Sequence, residues 1–177
     1  MKVWDYESND DDQLAKKVEK DPSIVMTKPE MAKHLISLIQ YEEGEVWLEP
    51  ACGDGAFYNN FPTNVVGRYC EINEGSDFLE YTEPVDVVIS NPPFIPRKLF
   101  WDFMTKSMQI ARKNIYWLIN LSSLNVFTPK RLLEMKNAGW FIQSFHIVSD
   151  KRWFGRYVFL KIGKKDLGTI TWKEGSF

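Results

Sequence analysis

Six residues, Val85-Asp86-Val87-Val88-Ile89-Ser90, run straight into Asn91-Pro92-Pro93-Phe94. A short, nearly continuous apolar run bounded by a turn signal suits a strand buried on both faces, as in a parallel sheet covered by helices. The prolines end it, because they lack an N–H and fix φ. The stiff turn that results carries two acceptors, the Asn91 side-chain oxygen and the Pro92 carbonyl, with the ring of Phe94 close behind. That set suits a planar amino group whose nitrogen lone pair is delocalised into a ring. Accepting both hydrogens draws the lone pair back and aims it at an electrophile, while Phe94 stacks on the ring. Taken alone, the same four residues also read as an ordinary turn after a strand.

A second strand-turn unit lies upstream, at Glu45-Val46-Trp47-Leu48-Glu49-Pro50-Ala51-Cys52-Gly53-Asp54-Gly55-Ala56-Phe57. A short apolar strand enters a Gly-x-Gly turn, and a short helix is expected after it. Glycines permit positive φ and let a ligand approach the backbone. The third glycine of a dinucleotide fingerprint is missing, and Glu49 and Asp54 flank the turn. These carboxylates would repel a pyrophosphate and favour a cationic ligand.

Glu49-Pro50-Ala51-Cys52-Gly53-Asp54-Gly55-Ala56-Phe57 followed by Asn91-Pro92-Pro93-Phe94 resembles the S-adenosylmethionine-dependent amino-group methyltransferases, above all the DNA adenine-N6 methyltransferases. The resemblance spans residues 24–163 and implies a Rossmann-like class I methyltransferase sheet. It implies that Asn91, Pro92, Pro93 and Phe94 form the catalytic turn, with S-adenosyl-L-methionine as cofactor. Glu49, Pro50, Ala51, Gly53 and Gly55 would line the methionine end of that cofactor. Glu71, closing the strand from Val65, matches the ribose-binding acid, and Asp77 and Phe78 match the adenine contacts. Met26-Thr27-Lys28-Pro29-Glu30 resembles the family's Thr-Pro segment, which puts Thr27 and Pro29 beside the cofactor. Trp153 and Phe154 fall where the family carries an aromatic near the target base. Other readings exist for several of these residues. Thr27, Pro29 and Glu30 also form a capping box, Glu71 suits a solvated strand end, Asp77 suits a cap, and Trp153 and Phe154 suit hairpin packing.

Charge separates the two halves. Residues 1–90 hold seven Lys and Arg against nineteen Asp and Glu, a net of −12. Residues 91–177 hold fifteen against five, a net of +10, so the near-neutral total of −2 is misleading. The basic half follows the Asn91 turn and favours a polyanionic substrate, with Arg97, Lys98, Lys130 and Arg131 as candidate phosphate contacts. A nucleic acid is therefore the expected partner, and the resemblance puts DNA before RNA.

The chain length of 177 residues suits one catalytic domain, 23–177, behind an acidic and partly flexible segment 1–22. No apolar run approaches a bilayer span, and no apolar signal core opens the sequence, so a cytoplasmic location is expected. Cys52 and Cys70 suggest neither a disulfide nor a metal site and are expected to be buried. Helices are expected at 29–40, 97–113 and 129–137, with strands at 45–49, 65–71, 85–90, 115–121, 140–149 and 155–163. The last two strands read as an antiparallel hairpin on the edge of a mostly parallel sheet.

Two departures from the family carry consequences. Only five residues separate Glu71 from Asp77, where the family has a helix and a strand, so the sheet should lack a strand at that edge. There is also no room for a target-recognition domain, so a partner or substrate structure would supply specificity. Other activities stay open: an RNA adenine-N6 methyltransferase, a protein glutamine-N5 methyltransferase, or a non-catalytic nucleic-acid-binding subunit. Serine usually stands at the Asn91 position in cytosine-N4 enzymes, which counts against that class.

Overall fold

The computed structural model describes residues 26–149 and 156–176. Segment 1–22 and residues Trp153 and Phe154 lie outside the described residues. Seven strands form one sheet in the order β2-β1-β3-β4-β6-β5-β7. They are β1 (Val46–Glu49), β2 (Val66–Tyr69), β3 (Val85–Ser90), β4 (Ala111–Asn120), β5 (Phe141–Ser149), β6 (Tyr157–Gly163) and β7 (Thr171–Ser176). Helices α1 (Pro29–Ser37), α2 (Arg97–Ile110) and α3 (Pro129–Asn137) accompany them. Strands β2, β1, β3 and β4 run parallel, and β6 is antiparallel to both of its neighbours. The architecture is Rossmann-like, shortened beyond β2 as expected.

The sheet has helices on both faces, and side-chain alternation sorts the two cores. On one face Leu48, Val88, Ile115, Trp117, Ile119 and Leu160 meet Phe100, Phe103 and Met104 of α2 and Met135 of α3. On the other, Trp47, Val87, Ile89, Tyr116, Leu118 and Phe159 meet Met31, Ala32, Leu35 and Ile36 of α1. A central strand buried on both sides must therefore be apolar throughout. β3 departs from this at Asp86, whose Oδ2 accepts a hydrogen bond from Val46 N at 2.9 Å and ties β3 to the start of β1, and at its last residue, the fully buried Ser90.

Several boundaries differ from the sequence reading. α1 ends at Ser37 rather than Gln40, its last turn tightening through Leu38 N to Leu35 O and Ile39 N to Ile36 O. α2 stops at Ile110 and passes into β4 without a loop, because Ala111 and Asn114 already pair with Val85 and Val87. The polar run Ala111-Arg112-Lys113-Asn114 has helical propensity, but pairing overrides it. After the glycine turn a single 3₁₀ turn, Tyr58–Asn60, replaces the expected helix. β7 pairs parallel to β5 and puts the hairpin inside the sheet rather than at its edge. Its polar sequence Thr171-Trp172-Lys173-Glu174-Gly175-Ser176 shows no apolar alternation by which to find it. α3 matches its expected span, capped by the Thr128 side chain and followed by Gly139 at φ +74°.

α1 packs its apolar side on one face of the sheet, and Leu35 is fully buried there. Leu35→Ala should lower the unfolding free energy by about 2–5 kcal/mol, measured by urea denaturation. An unchanged midpoint would mean that α1 does not pack on the sheet.

Candidate functional site

Parallel pairing brings three chain reversals to one end of the sheet. Trp47 pairs with Val87 and Leu48 with Val88, so the glycine turn after β1 and the Asn91 turn after β3 leave adjacent strands side by side. On the other flank, Cys70 N donates to Glu49 O and Cys52 N to Cys70 O, which carries the β1–β2 ladder into the turn. This is the end of a parallel sheet at which ligands bind in such folds.

The glycine turn is held by two buried carboxylates. Glu71 Oε2 accepts from Gly53 N at 2.7 Å, and Oε1 accepts from Asn73 N and Nδ2 at 3.1 and 2.9 Å. Glu71 is thus a buried anchor of the turn, not a solvated strand end. Glu49 Oε2 accepts from Tyr58 N at 2.7 Å. Burial lifts the Glu49 carboxyl to about 8, against the opposing pull of its bonds from Tyr58 N and Cys52. Burial and the neighbouring Glu49 likewise push the Cys52 thiol up to about 12, so this cysteine is an inert packing group.

Gly53 and Gly55 adopt left-handed φ of +50° and +77°. A Cβ on Gly53 would lie 2.3 Å from Met26 Cε, and one on Gly55 would lie 2.5 Å from Asn59 Nδ2. The thioether of Met26 therefore rests directly on the turn. Pro50 is buried and Ala51 half-buried beside it, while Asp54 is exposed.

The residue after Met26 links this turn to the other one. Asn91 Nδ2 donates to Thr27 Oγ1 at 3.1 Å, across 64 positions of sequence. With the amide nitrogen so engaged, Asn91 Oδ1 is left buried with no partner among the described residues. Buried polar oxygens are ordinarily satisfied, so an orphan in a turn at the ligand end of the sheet marks a position for a donor. Thr27 does not form the alternative capping box. The N-cap of α1 is Lys28, without a side-chain cap, and Pro29 opens the first turn. Pro29 O in turn accepts from Asn60 Nδ2 at 3.4 Å, fastening α1 to the end of the glycine turn.

Pro92 is buried and Pro93 half-buried in the second turn. Phe94 is half-buried, with its ring 6.3 Å from that of Phe100 at a tilt of 34°. Asp77 and Phe78 stand differently from each other. The Asp77 side chain is half-buried and caps a 3₁₀ turn through Leu79 N at 2.8 Å. Phe78 is turned into the core, only 2 % exposed, against Phe103 at 4.9 Å. With only five residues between Glu71 and Asp77, a 3₁₀ turn at Phe78–Glu80 follows closely on β2 and places the Phe78 ring in the core.

The expected phosphate contacts fall in two groups. Arg97 and Lys98 occupy the first turn of α2, and Lys130 and Arg131 the first turn of α3. Arg131 joins the groups, since its Cζ lies 4.8 Å above the Trp101 ring and its Nη1 donates to Val126 O at 3.1 Å. The segment after β4, expected to cover a substrate, is a 3₁₀ stretch from Leu121 to Val126, secured by Asn120 Oδ1 accepting from Ser122 N at 2.9 Å. Met26, Asn73 and Trp101 escape sequence reasoning. Asn73 has a weak signal as the second residue after a strand-ending acid, whereas Met26 and Trp101 have none.

No protein-family model matches the chain, and neither does the sequence of any curated protein. Solved structures do match. A candidate class I S-adenosylmethionine-dependent methyltransferase from Listeria monocytogenes superposes with a TM-score of 0.67 at 16% identity, over 93% of this chain and 71% of that one. A candidate RNA methyltransferase from Pyrococcus horikoshii gives 0.57 at 17%, over 86% and 98%. Magnesium protoporphyrin IX methyltransferase from Synechocystis PCC 6803, solved with its bound methyl donor, gives 0.59 at 8%, over 93% and 87%. Identities this low speak to architecture alone, and on that point they agree. The sheet of this chain has the Rossmann-like fold of class I methyltransferases.

Proposed function

We propose that the chain is an S-adenosylmethionine-dependent methyltransferase acting on the exocyclic N6 amino group of adenine in nucleic acid, DNA before RNA. The observation that carries this reading is the Asn91 oxygen, buried, unpartnered and held in orientation by Thr27. The residues at the glycine turn suit the donor. Glu49 and Glu71 are buried acids suited to a ligand bearing a sulfonium and an ammonium, and Gly53 and Gly55 hold the left-handed φ that shapes the turn. Two neighbours in fold are described as a candidate RNA methyltransferase and as a modification subunit of a candidate type I restriction enzyme, which favours a nucleic-acid substrate. Asp77 remains the candidate contact to the cofactor's adenine.

When bound, the cofactor supplies an electrophilic methyl group. Asn91 Oδ1 accepts one amino hydrogen and the Pro92 carbonyl the other, which restores nucleophilic character to the nitrogen. Phe94 stacks on the base, and alignment of amine and methyl supplies most of the rate. No covalent nucleophile takes part, and the nitrogen loses its proton after attack. A base inside a duplex cannot reach this turn, so the target must be flipped or unpaired.

Incubation with S-adenosylmethionine and separate pools of single-stranded DNA, duplex DNA and RNA, then digestion and nucleoside mass spectrometry, tests the reaction. N6-methyladenine from at least one pool, absent with Asn91→Ala, is expected. A wild-type protein that methylates only the glutamine amide of a peptide would overturn the substrate assignment. Thr27→Val should lower kcat by about 3- to 10-fold, the value of one orienting hydrogen bond, with cofactor affinity nearly unchanged and Thr27→Ser restoring the rate. A loss confined to cofactor affinity would place Thr27 with the cofactor instead.

Glu49 yields a pH dependence. Its carboxyl titrates near 8 in the empty protein, and a cation beside it favours the ionised form. Below that pH, binding must release a proton, so affinity rises with pH and levels off above about 8. Calorimetry at neutral pH in buffers of differing ionisation enthalpy should show proton release in the wild type and none in Glu49→Gln. Equal proton counts would remove Glu49 from contact with the cation.

A further inference from the structure

Helices favour carboxylates in the first turn and cations in the last, because backbone N–H groups leave partial positive charge at the start. α1 follows this rule, with Glu30 in its first turn. α2 and α3 break it. Each has two cations in its first turn, Arg97 with Lys98 and Lys130 with Arg131, and neither has an acid there. Lys98 makes an exposed pair with Asp102 at 2.7 Å. The two helix starts are not independent, since Arg131 of α3 lies over Trp101 of α2. Two helix starts, each carrying two cations, thus meet at one aromatic residue.

The aromatic group is continuous with the Asn91 turn. Phe94 neighbours Phe100 at 6.3 Å, Phe100 neighbours Phe127 at 6.2 Å, and Phe127 neighbours Trp101 at 6.4 Å. Phe100 is fully buried, whereas Phe94, Trp101 and Phe127 keep part of their rings exposed. On α2, Trp101 follows Arg97 by four residues and Lys98 by three, so all three share one helix face. Aromatic rings interleaved with cations bind unpaired nucleotides, the bases stacking and the phosphates meeting the charges.

We infer that Trp101, with Phe127 and Arg131, forms a second base-binding subsite that stacks the unpaired nucleotide flanking the target adenine, its phosphates held by Arg97, Lys98 and Lys130. The subsite rests on the reading of the Asn91 turn as a nucleobase site and adds to it a preference for single strands. A duplex offers no free base face at the flanking position, whereas a single strand offers one at every step.

The test uses labelled single-stranded DNA and RNA oligonucleotides of about 12 nucleotides, each with one adenine and with either flanking base present or replaced by an abasic site. Binding is followed by fluorescence anisotropy, and methyl transfer on the same oligonucleotides by mass spectrometry. Trp101→Ala should weaken binding by about 5- to 150-fold, and Trp101→Phe should retain most of it. Removing one flanking base should cost the wild type a comparable factor and Trp101→Ala almost nothing, because both changes delete the same contact. Trp101→Leu keeps most of the packing volume and should behave as Trp101→Ala, which separates stacking from folding. Lys130→Ser should lower the salt dependence of binding by about one ion while leaving the flanking-base effect in place. An abasic penalty equal in wild type and Trp101→Ala, with methyl transfer intact, would remove the subsite and leave the reaction standing. Neither binding nor transfer by the wild type with either polymer would remove both.

Discussion

Everything at the candidate site depends on the parallel registration of β1 between β2 and β3. Trp47 and Leu48 are wholly buried, one on each face, so β1 cannot slip by one residue without exchanging its two cores. That constraint places the end of β1 beside the end of β3, and hence the glycine turn beside the Asn91 turn. The same pairing on the other side places Glu71 beneath Gly53, close enough to bond its amide. The polar groups of the site are therefore positioned by apolar side chains one or two residues upstream. Asp86 is the polar counterpart of this arrangement, bonding Val46 N from inside an apolar strand.

The two turns are also connected outside the sheet, by two residues that precede α1 and by the first residue of the helix. Met26 lies on Gly53, Thr27 holds the Asn91 amide, and Pro29 O meets Asn60. The docking of α1 through Met31, Leu35 and Ile36 fixes this strap in place. One short segment thus senses the glycine turn on one side and sets the orientation of the orphaned acceptor on the other. An acceptor left unsatisfied in a buried turn is unfavourable for the folded chain alone. Under the proposed function, a donor arriving with the substrate would offset that cost.

How much of this was legible in the sequence varied with the kind of interaction. β3 and α3 were found at their observed boundaries, because an apolar run ended by two prolines, and a Thr-Pro start with a glycine stop, are local signals. The shortened edge followed from the five residues between Glu71 and Asp77. β7 was missed because its pairing is made by backbone groups, and its polar side chains leave no periodic trace. The Thr27–Asn91 bond was hidden for a different reason. Thr27, Pro29 and Glu30 have capping-box spacing, and nothing local shows that Pro29 displaces the cap to Lys28 and frees the threonine for a residue 64 positions away. Phe78 is legible as an aromatic beside an acid, but its packing against Phe103 is a contact between residues 25 positions apart that no local pattern shows.

The charge asymmetry of the sequence acquires a physical meaning in the fold. The acidic half supplies β1, β2 and the glycine turn, where buried Glu49 and Glu71 engage backbone amides. The basic half supplies α2 and α3, whose first turns carry cations where helix physics favours acids. These unfavourable placements are opposite in sign: carboxylates desolvated at one turn, and cations crowded at the helix starts. Under the proposed function, a cationic methyl donor would relieve the first and a polyanionic substrate the second. Neither placement is favourable for the isolated chain.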